Sequence, residues 1–256
     1  MRENSVKREL QAGNVQVGTW IHLGATEVPR VLATAGFDYV NIDMEHSAFS
    51  IGTISNLCTS AMSAGLTPIV RPPARDRHLV SRPLDGGAMG VLIPHTDTWE
   101  DAQAAVRAAK FPPMGERGAH PPNVHTDFGP VNATDYMAKG NEESLVLIQI
   151  ESEAALGNLD EILSVDGVDG ATVGRGDLAA DMGVTGGRDD PRIVEAVETV
   201  IAACRRTNKF PGLLVHETEE AKRWIAKGVR FVTFSSDVGI LRSAAAAALH
   251  DIRSAS

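Results

Sequence analysis

Eight short apolar, β-branched runs recur along this chain, each followed by a stretch with apolar residues three and four positions apart. That alternation restricts the fold more than any other feature. The runs are VQVGTW (15–20), FDYVNID (37–43), TPIVRP (67–72), MGVLIP (89–94), LVLIQI (145–150), DGATVG (169–174), GLLV (212–215) and RFVTFS (230–235). Among and after them lie EVPRVLATAG (27–36), IGTISNLCTSAMSAG (51–65), TWEDAQAAVRAAK (98–110), AALGNLDEILSV (154–165), RIVEAVETVIAACRRTN (192–208), ETEEAKRWIAKG (217–228) and GILRSAAAAALHDIR (239–253), which have helical periodicity. Strand followed by helix, repeated, means parallel strands joined by helical crossovers. Strands that are almost continuously apolar belong to a sheet covered on both faces. Eight such units in 256 residues predict a (β/α)8 TIM barrel, whose typical length is about 250 residues. One domain is expected over residues 1–256, closed by a C-terminal helix at 239–253.

Two stretches break the rhythm. The segment from His95 to Ser144 is long for a crossover and contains FPPMGERGAHPPNVHTDFGP, so a loop region at about 111–144 is expected to be functional rather than filler. Pro83 within HLVSRPLDGG predicts a helix that is short, kinked or restarted there.

Composition removes several classes of function. Acidic side chains outnumber basic ones by 33 to 24, for a net charge of −9, which works against binding nucleic acid or an anionic membrane. The charged N-terminal stretch has no apolar core, and no run reaches the ~18 apolar residues of a membrane span, so the expected location is the cytoplasm. The two cysteines, Cys58 and Cys204, lie in helical stretches without a CxxC partner and read as reduced thiols.

In a barrel of this kind, chemistry gathers at the C-terminal ends of the strands. There the second run delivers Asp43, Glu45 and His46 within four positions, the third Arg71, the fourth His95, the fifth Gln149 and Glu151, and the sixth Arg175 and Asp177 through VGRGD. Each has a plain structural reading alone: a solvated loop arginine, or a carboxylate favouring a helix start. Their coincidence on one rim points to a site. Glu151 and Asp177, with Gln149 beside them and no thiolate, form a sparse hard-oxygen set suited to a divalent metal ion such as Mg²⁺ or Mn²⁺. Arg71 can meet an oxygen gaining negative charge, and His46, held by Asp43 or Glu45, can move a proton. The turn around Gly174 and Gly176 exposes backbone N–H groups to an anion. Neither a P-loop nor a strand–GxGxxG–helix unit occurs. His22, His78, His216 and His250 read as surface or structural histidines, Trp20, Trp99 and Trp224 as packing residues, and His120 and His125 as loop residues within reach of the pocket.

The stretches GTWIHLG, AGFDYVNIDMEHSAFS, PIVRPP, LDGGAMGVLIPHTDT, AAKFPPMGERG, LVLIQIES, VDGVDGATVGRGDLAADMG and FVTFSSDVGILRSA together resemble the HpcH/HpaI aldolases, metal-dependent class II pyruvate aldolases. The resemblance implies reversible cleavage of a 4-hydroxy-2-oxo acid to an aldehyde and pyruvate, or a related 2-oxo acid such as hydroxypyruvate, within catabolism of aromatic compounds. It implies Glu151 and Asp177 as ligands of a divalent metal (Mg²⁺, Mn²⁺ or Co²⁺). Arg71 would hold the keto oxygen, and His46 with Asp43 would be the acid/base dyad for the aldol hydroxyl. Gln149 and the backbone of Gly176 and Asp177 would contact pyruvate, and Asp85 would enter a neighbouring subunit's site within a homohexamer, a trimer of dimers. Two stretches depart from the family pattern: GRGD stands where GPAD is common, adding the cation of Arg175 beside the site, and AHPPNVHTDFG follows ERG. A CoA-thioester lyase of the malyl-CoA or citryl-CoA type, and a non-catalytic barrel binding a metal–oxoacid complex, are the alternatives.

Overall fold

The computed structural model describes residues 1–254. A short helix α1 (Ser5–Gln11) precedes the repeats. Then follow β1 (Gln16–Ile21), α2 (Glu27–Thr34), β2 (Tyr39–Asp43), α3 (Ile51–Ser63), β3 (Thr67–Arg71), α4 (Arg77–Asp85), β4 (Gly90–Ile93), α5 (Trp99–Ala109), α6 (Ala133–Glu143), β5 (Leu145–Ile150), α7 (Glu153–Gly157), α8 (Leu159–Ser164), β6 (Gly170–Val173), α9 (Arg175–Asp181), α10 (Pro191–Arg206), β7 (Phe210–Val215), α11 (Thr218–Lys227), β8 (Phe231–Ser236) and α12 (Asp237–Ser254). Every strand pairs in parallel with its sequence neighbour, and β1 also pairs with β8, which closes the predicted (β/α)8 barrel.

The apolar content of the strands follows from that closure. Strands β2 to β6 are buried at every position, because one face meets the barrel interior and the other the helices. Most of the core lies between strands and helices, where Ile42, Val70, Val91 and Ile148 meet Leu57, Ala105 and Val197. A second cluster fills the interior: Tyr39, Ile69, Leu145, Leu147 and Phe231, with Trp20 and Leu92 above them. Tyr39 stacks on Phe231 with ring centroids 4.1 Å apart. Gly18 makes room for that stack, since a Cβ there would lie 2.3 Å from the Tyr39 ring.

Helix α1, absent from the expected pattern, packs at the N-terminal mouth. Val6 and Leu10 join the interior cluster. Asn4 Nδ2 donates to the carbonyls of Met89 and Glu143, and Lys7 Nζ reaches the Ser144 carbonyl and the Asp169 carboxylate. These residues lie just before β4, β5 and β6, so α1 covers the end of the barrel opposite the predicted site.

Three elements differ from the sequence reading. The stretch 154–165 is two helices, α7 and α8, broken at Asn158, whose Nδ2 donates to the Asp97 carbonyl. A glycine followed by asparagine favours that break. The second half of the 111–144 region is not loop but helix α6, started by Asn132, whose side chain accepts from the amides of Thr134 and Asp135. Helix α4 passes through Pro83 and stops two residues later at Asp85.

Candidate active site at the C-terminal rim

A cavity of about 490 Å³ opens at the C-terminal ends of the strands. Asp43, His46, Arg71, Gln149, Gly176 and Asp177 line it, all on the predicted rim. Trp20, His22, Arg188 and His216 line it too. The strand-end rule that selects Asp43 and Arg71 also selects His22, directly after Ile21 of β1, and His216, directly after Val215 of β7. Arg188 lies in a short 3-10 turn before α10 and carries no such signal.

Asp43 and Arg71 are the last residues of adjacent strands and are in register with each other. Arg71 donates from Nε to Asp43 Oδ1 (3.1 Å) and from Nη2 to Oδ2 (2.8 Å), while Nε also lies 3.2 Å from Glu45 Oε2. Its guanidinium sits 4.4 Å over the Trp20 ring. Two carboxylates and an indole therefore hold Arg71 in one pose, with Nη1 directed to neither acid. Burial alone pushes the Asp43 carboxyl up. The Arg71 cation and the amides of His46 and Glu45 outweigh that and leave it below the usual carboxylate range.

The histidine predicted to pair with Asp43 does so only through its backbone. The His46 amide donates to Asp43 Oδ1 at 3.3 Å, whereas its ring Nε2 lies 3.6 Å from Glu45 Oε2. The imidazole facing Asp43 is that of His22, whose Nδ1 is 3.6 Å from Oδ2, so this histidine belongs to the site and not to the surface.

Glu151 follows β5 and is buried behind the cavity wall. Its Oε1 accepts from the His95 amide at 2.6 Å, and its Oε2 accepts from Gln149 Nε2. Gly174 permits this packing, because a Cβ there would lie 2.9 Å from Glu151 Oε2. His95 adopts a left-handed backbone (φ 51°) and bridges two acids, with Nε2 2.9 Å from Glu45 Oε1 and Nδ1 3.2 Å from Glu151 Oε1. Burial raises the Glu151 carboxyl above its usual range. The hydrogen bonds from His95 and Gln149 offset part of that, and the negative charge of Asp177 adds to it.

The charge of Asp177 that raises Glu151 also means that two carboxylates face one place where a cation would be attracted. No three His, Cys, Asp or Glu among the described residues are grouped to hold a metal, so a metal here would have two protein carboxylates and complete its shell from water and ligand. That donor set fits Mg²⁺ or Mn²⁺, which bind through one or two carboxylates and keep several waters.

Arg175 is not the free cation its position suggests. Its guanidinium is buried, with Nη1 donating to Glu220 Oε1 (2.6 Å) and Nη2 to the Leu214 carbonyl (2.5 Å). The loop histidines stay out of the cavity: His125 is buried with Nε2 2.6 Å from the Leu84 carbonyl, and His120 is exposed. Asp85 ends α4 away from the cavity, paired with buried Arg117 at 2.7 Å.

Residues 16–244 match the family model for HpcH/HpaI aldolase/citrate lyase. The 4-hydroxy-2-oxo-heptane-1,7-dioate aldolase of Escherichia coli is 36% identical over 245 residues, covering 96% of this chain and 93% of that protein. A crystal structure of an HpcH/HpaI aldolase from Desulfitobacterium hafniense superposes with TM-score 0.93 at 34% identity, over 98% of this chain and 97% of that one. An HpcH/HpaI aldolase/citrate lyase family protein from Burkholderia cenocepacia gives TM-score 0.91 at 33% identity, over 98% and 99%.

Proposed function

The chain belongs to the HpcH/HpaI aldolase/citrate lyase family and is an aldolase, and from that premise we propose how it works and on what. The reaction is divalent-metal-dependent, reversible cleavage of a 4-hydroxy-2-oxo acid to an aldehyde and pyruvate or hydroxypyruvate. The relatives' heptane-1,7-dioate substrate is the first candidate. The observation that carries this reading is the meeting, on one rim, of the carboxylates of Glu151 and Asp177 with an arginine clamped by Asp43 and Glu45.

In this reading Glu151 and Asp177 hold the metal. Mg²⁺, Mn²⁺ or Co²⁺ bound there supplies a Lewis acid that favours the enolate. The 2-oxo acid's carboxylate sits against the backbone N–H groups of Gly176 and Asp177, in the first turn of α9, where helical amides lack partners. Gln149 borders the same pocket. Arg71 turns Nη1 to the 2-oxo oxygen. Because its other nitrogens are held beforehand, charge developing on that oxygen meets a donor that need not reorganise. His46 exchanges the proton of the 4-hydroxyl, with Glu45 behind it. Asp85 belongs to a neighbouring subunit's site in a homohexamer, and the protein works in the cytoplasm on aromatic-compound breakdown products.

The test is proton exchange of pyruvate and hydroxypyruvate in D₂O, followed by NMR with Mg²⁺ or Mn²⁺ and then with EDTA. Metal-dependent exchange, abolished by chelation and by Glu151→Ala, is the expected outcome. Undiminished exchange in EDTA would reject the metal-dependent mechanism. No exchange with either donor would favour the CoA-thioester lyase or the binding barrel.

A further inference from the structure

Arg71 lies between two carboxylates, and each of those acids faces a different imidazole. Asp43 Oδ1 is taken by Arg71 Nε and by the amides of Glu45 and His46. Its Oδ2 accepts from Arg71 Nη2 and lies 3.6 Å from His22 Nδ1. On the other side, His46 Nε2 lies 3.6 Å from Glu45 Oε2. The His22 ring is held on two further sides. Its Nδ1 is 3.3 Å from Ser47 Oγ, and it stacks on Trp20 with centroids 6.2 Å apart and planes 19° from parallel. His22 is 34% exposed and His46 61%, and both line the same cavity. The better-held imidazole therefore comes from the end of β1.

We propose that His22 is a second acid/base residue of this site, an inference that rests on the aldolase reading above. With Nδ1–H directed at Asp43 and Ser47, Nε2 is the nitrogen left to exchange a proton with a ligand in the cavity. In the cleavage direction Nε2 takes the proton of the 4-hydroxyl. The electron pair of that O–H bond forms the aldehyde C=O, the C3–C4 bond breaks, and its pair becomes the enolate of the 2-oxo acid. The proton taken by His22 is released to solvent and one from solvent is added at C3, which completes the methyl group and restores the neutral imidazole, so no oxidant or further reactant enters. Asp43 balances the imidazolium formed on His22, as Glu45 does for His46. Each histidine faces one of the two acids that hold Arg71, and both line the same cavity, so loss of one leaves the other in place.

The experiment measures pyruvate release from a 4-hydroxy-2-oxo acid, coupled to lactate dehydrogenase, for the wild type, His22→Ala, His46→Ala and the double variant. A general acid/base contributes roughly 10²–10⁴-fold. Each single variant is expected to lose about tenfold in kcat and the double variant about 10³-fold, more than the product of the two. His22→Asn in the His46→Ala background separates chemistry from packing. Asparagine keeps a donor towards Asp43 but exchanges no proton, so it is expected to match His22→Ala, and it remains the deciding variant where His22→Ala does not fold. Two results overturn the assignment: His46→Ala alone falling as far as the double variant, or asparagine restoring the rate. Wild-type exchange of pyruvate methyl protons reports on the aldolase reading separately. Its absence removes that reading and this one together, whereas exchange without the double-variant loss removes only His22.

Discussion

At the scale of single residues the site is organised around a cation with no freedom. Arg71 is 8% exposed, bidentate to Asp43, in contact with Glu45 and stacked on Trp20. A lysine keeps the charge but neither the fork nor the stacking plane. Arg71→Lys is therefore expected to lower kcat by about 10²–10³-fold, the range for removing one oriented donor from an oxyanion site. Metal affinity should change little, because Glu151 and Asp177 are untouched. Steady-state kinetics and a Mn²⁺ titration on the same preparation check both halves; a variant that keeps full turnover removes Arg71 from the chemistry. Asp43, Arg71, Gln149 and Glu151 were legible because acids, an amide and a guanidinium have little reason to end apolar strands. His22 and His216 directly follow strands and meet the same rule, but a lone histidine there has an equally ready structural reading.

At the scale of elements, one buried acid gathers several of the contacts that attach the N-terminal helix. Glu143, at the end of α6, accepts from the Asn4 amide (2.6 Å), from Arg8 (2.7 Å) and from Lys139 (3.0 Å). Burial would raise its carboxyl, but these three donors outweigh burial and hold it below the usual range. A carboxyl whose folded value is depressed adds stability above its unfolded value, and that stability disappears as pH falls through the folded one. Glu143→Gln should cost about 1–3 kcal/mol at pH 7. The gap to wild type should close as the solution is made more acidic than the ordinary carboxylate range. Thermal melts across pH decide it, and a gap that stays constant with pH assigns the loss to shape instead of charge. The helix itself escaped the sequence reading because SVKRELQ is short and its apolar residues, Val6 and Leu10, gain a core only when the barrel mouth is present. The break at Asn158 and the start of α6 at Asn132 were written in capping residues, whose signal is local and weaker than periodicity.

At the scale of the whole molecule, α12 carries large apolar side chains into solvent: Val238, Leu241, Leu249 and Ile252 are 43%, 64%, 49% and 70% exposed. A single chain leaves that face uncovered, in keeping with the proposed oligomer. Light scattering is expected to give a multiple of 27.2 kDa, and Leu241→Glu with Ile252→Glu to lower it; a monomeric wild type would end the hexamer proposal. The barrel was legible because period and order are properties of the chain alone: eight apolar runs, each followed by a helical one, leave few other ways to bury both faces of every strand. The same holds for the acids and the arginine on the rim, since a strand's last residue is known once the strand is. Which carboxylate holds which imidazole was not. Asp43 faces His22, just after β1, rather than the ring of His46 three residues on, and Arg175, which borders the cavity, gives its guanidinium to Glu220 on α11. Those choices depend on side-chain directions across strands distant in sequence, where Coulomb attraction and desolvation are set by a few ångströms. Only closing the barrel decides them.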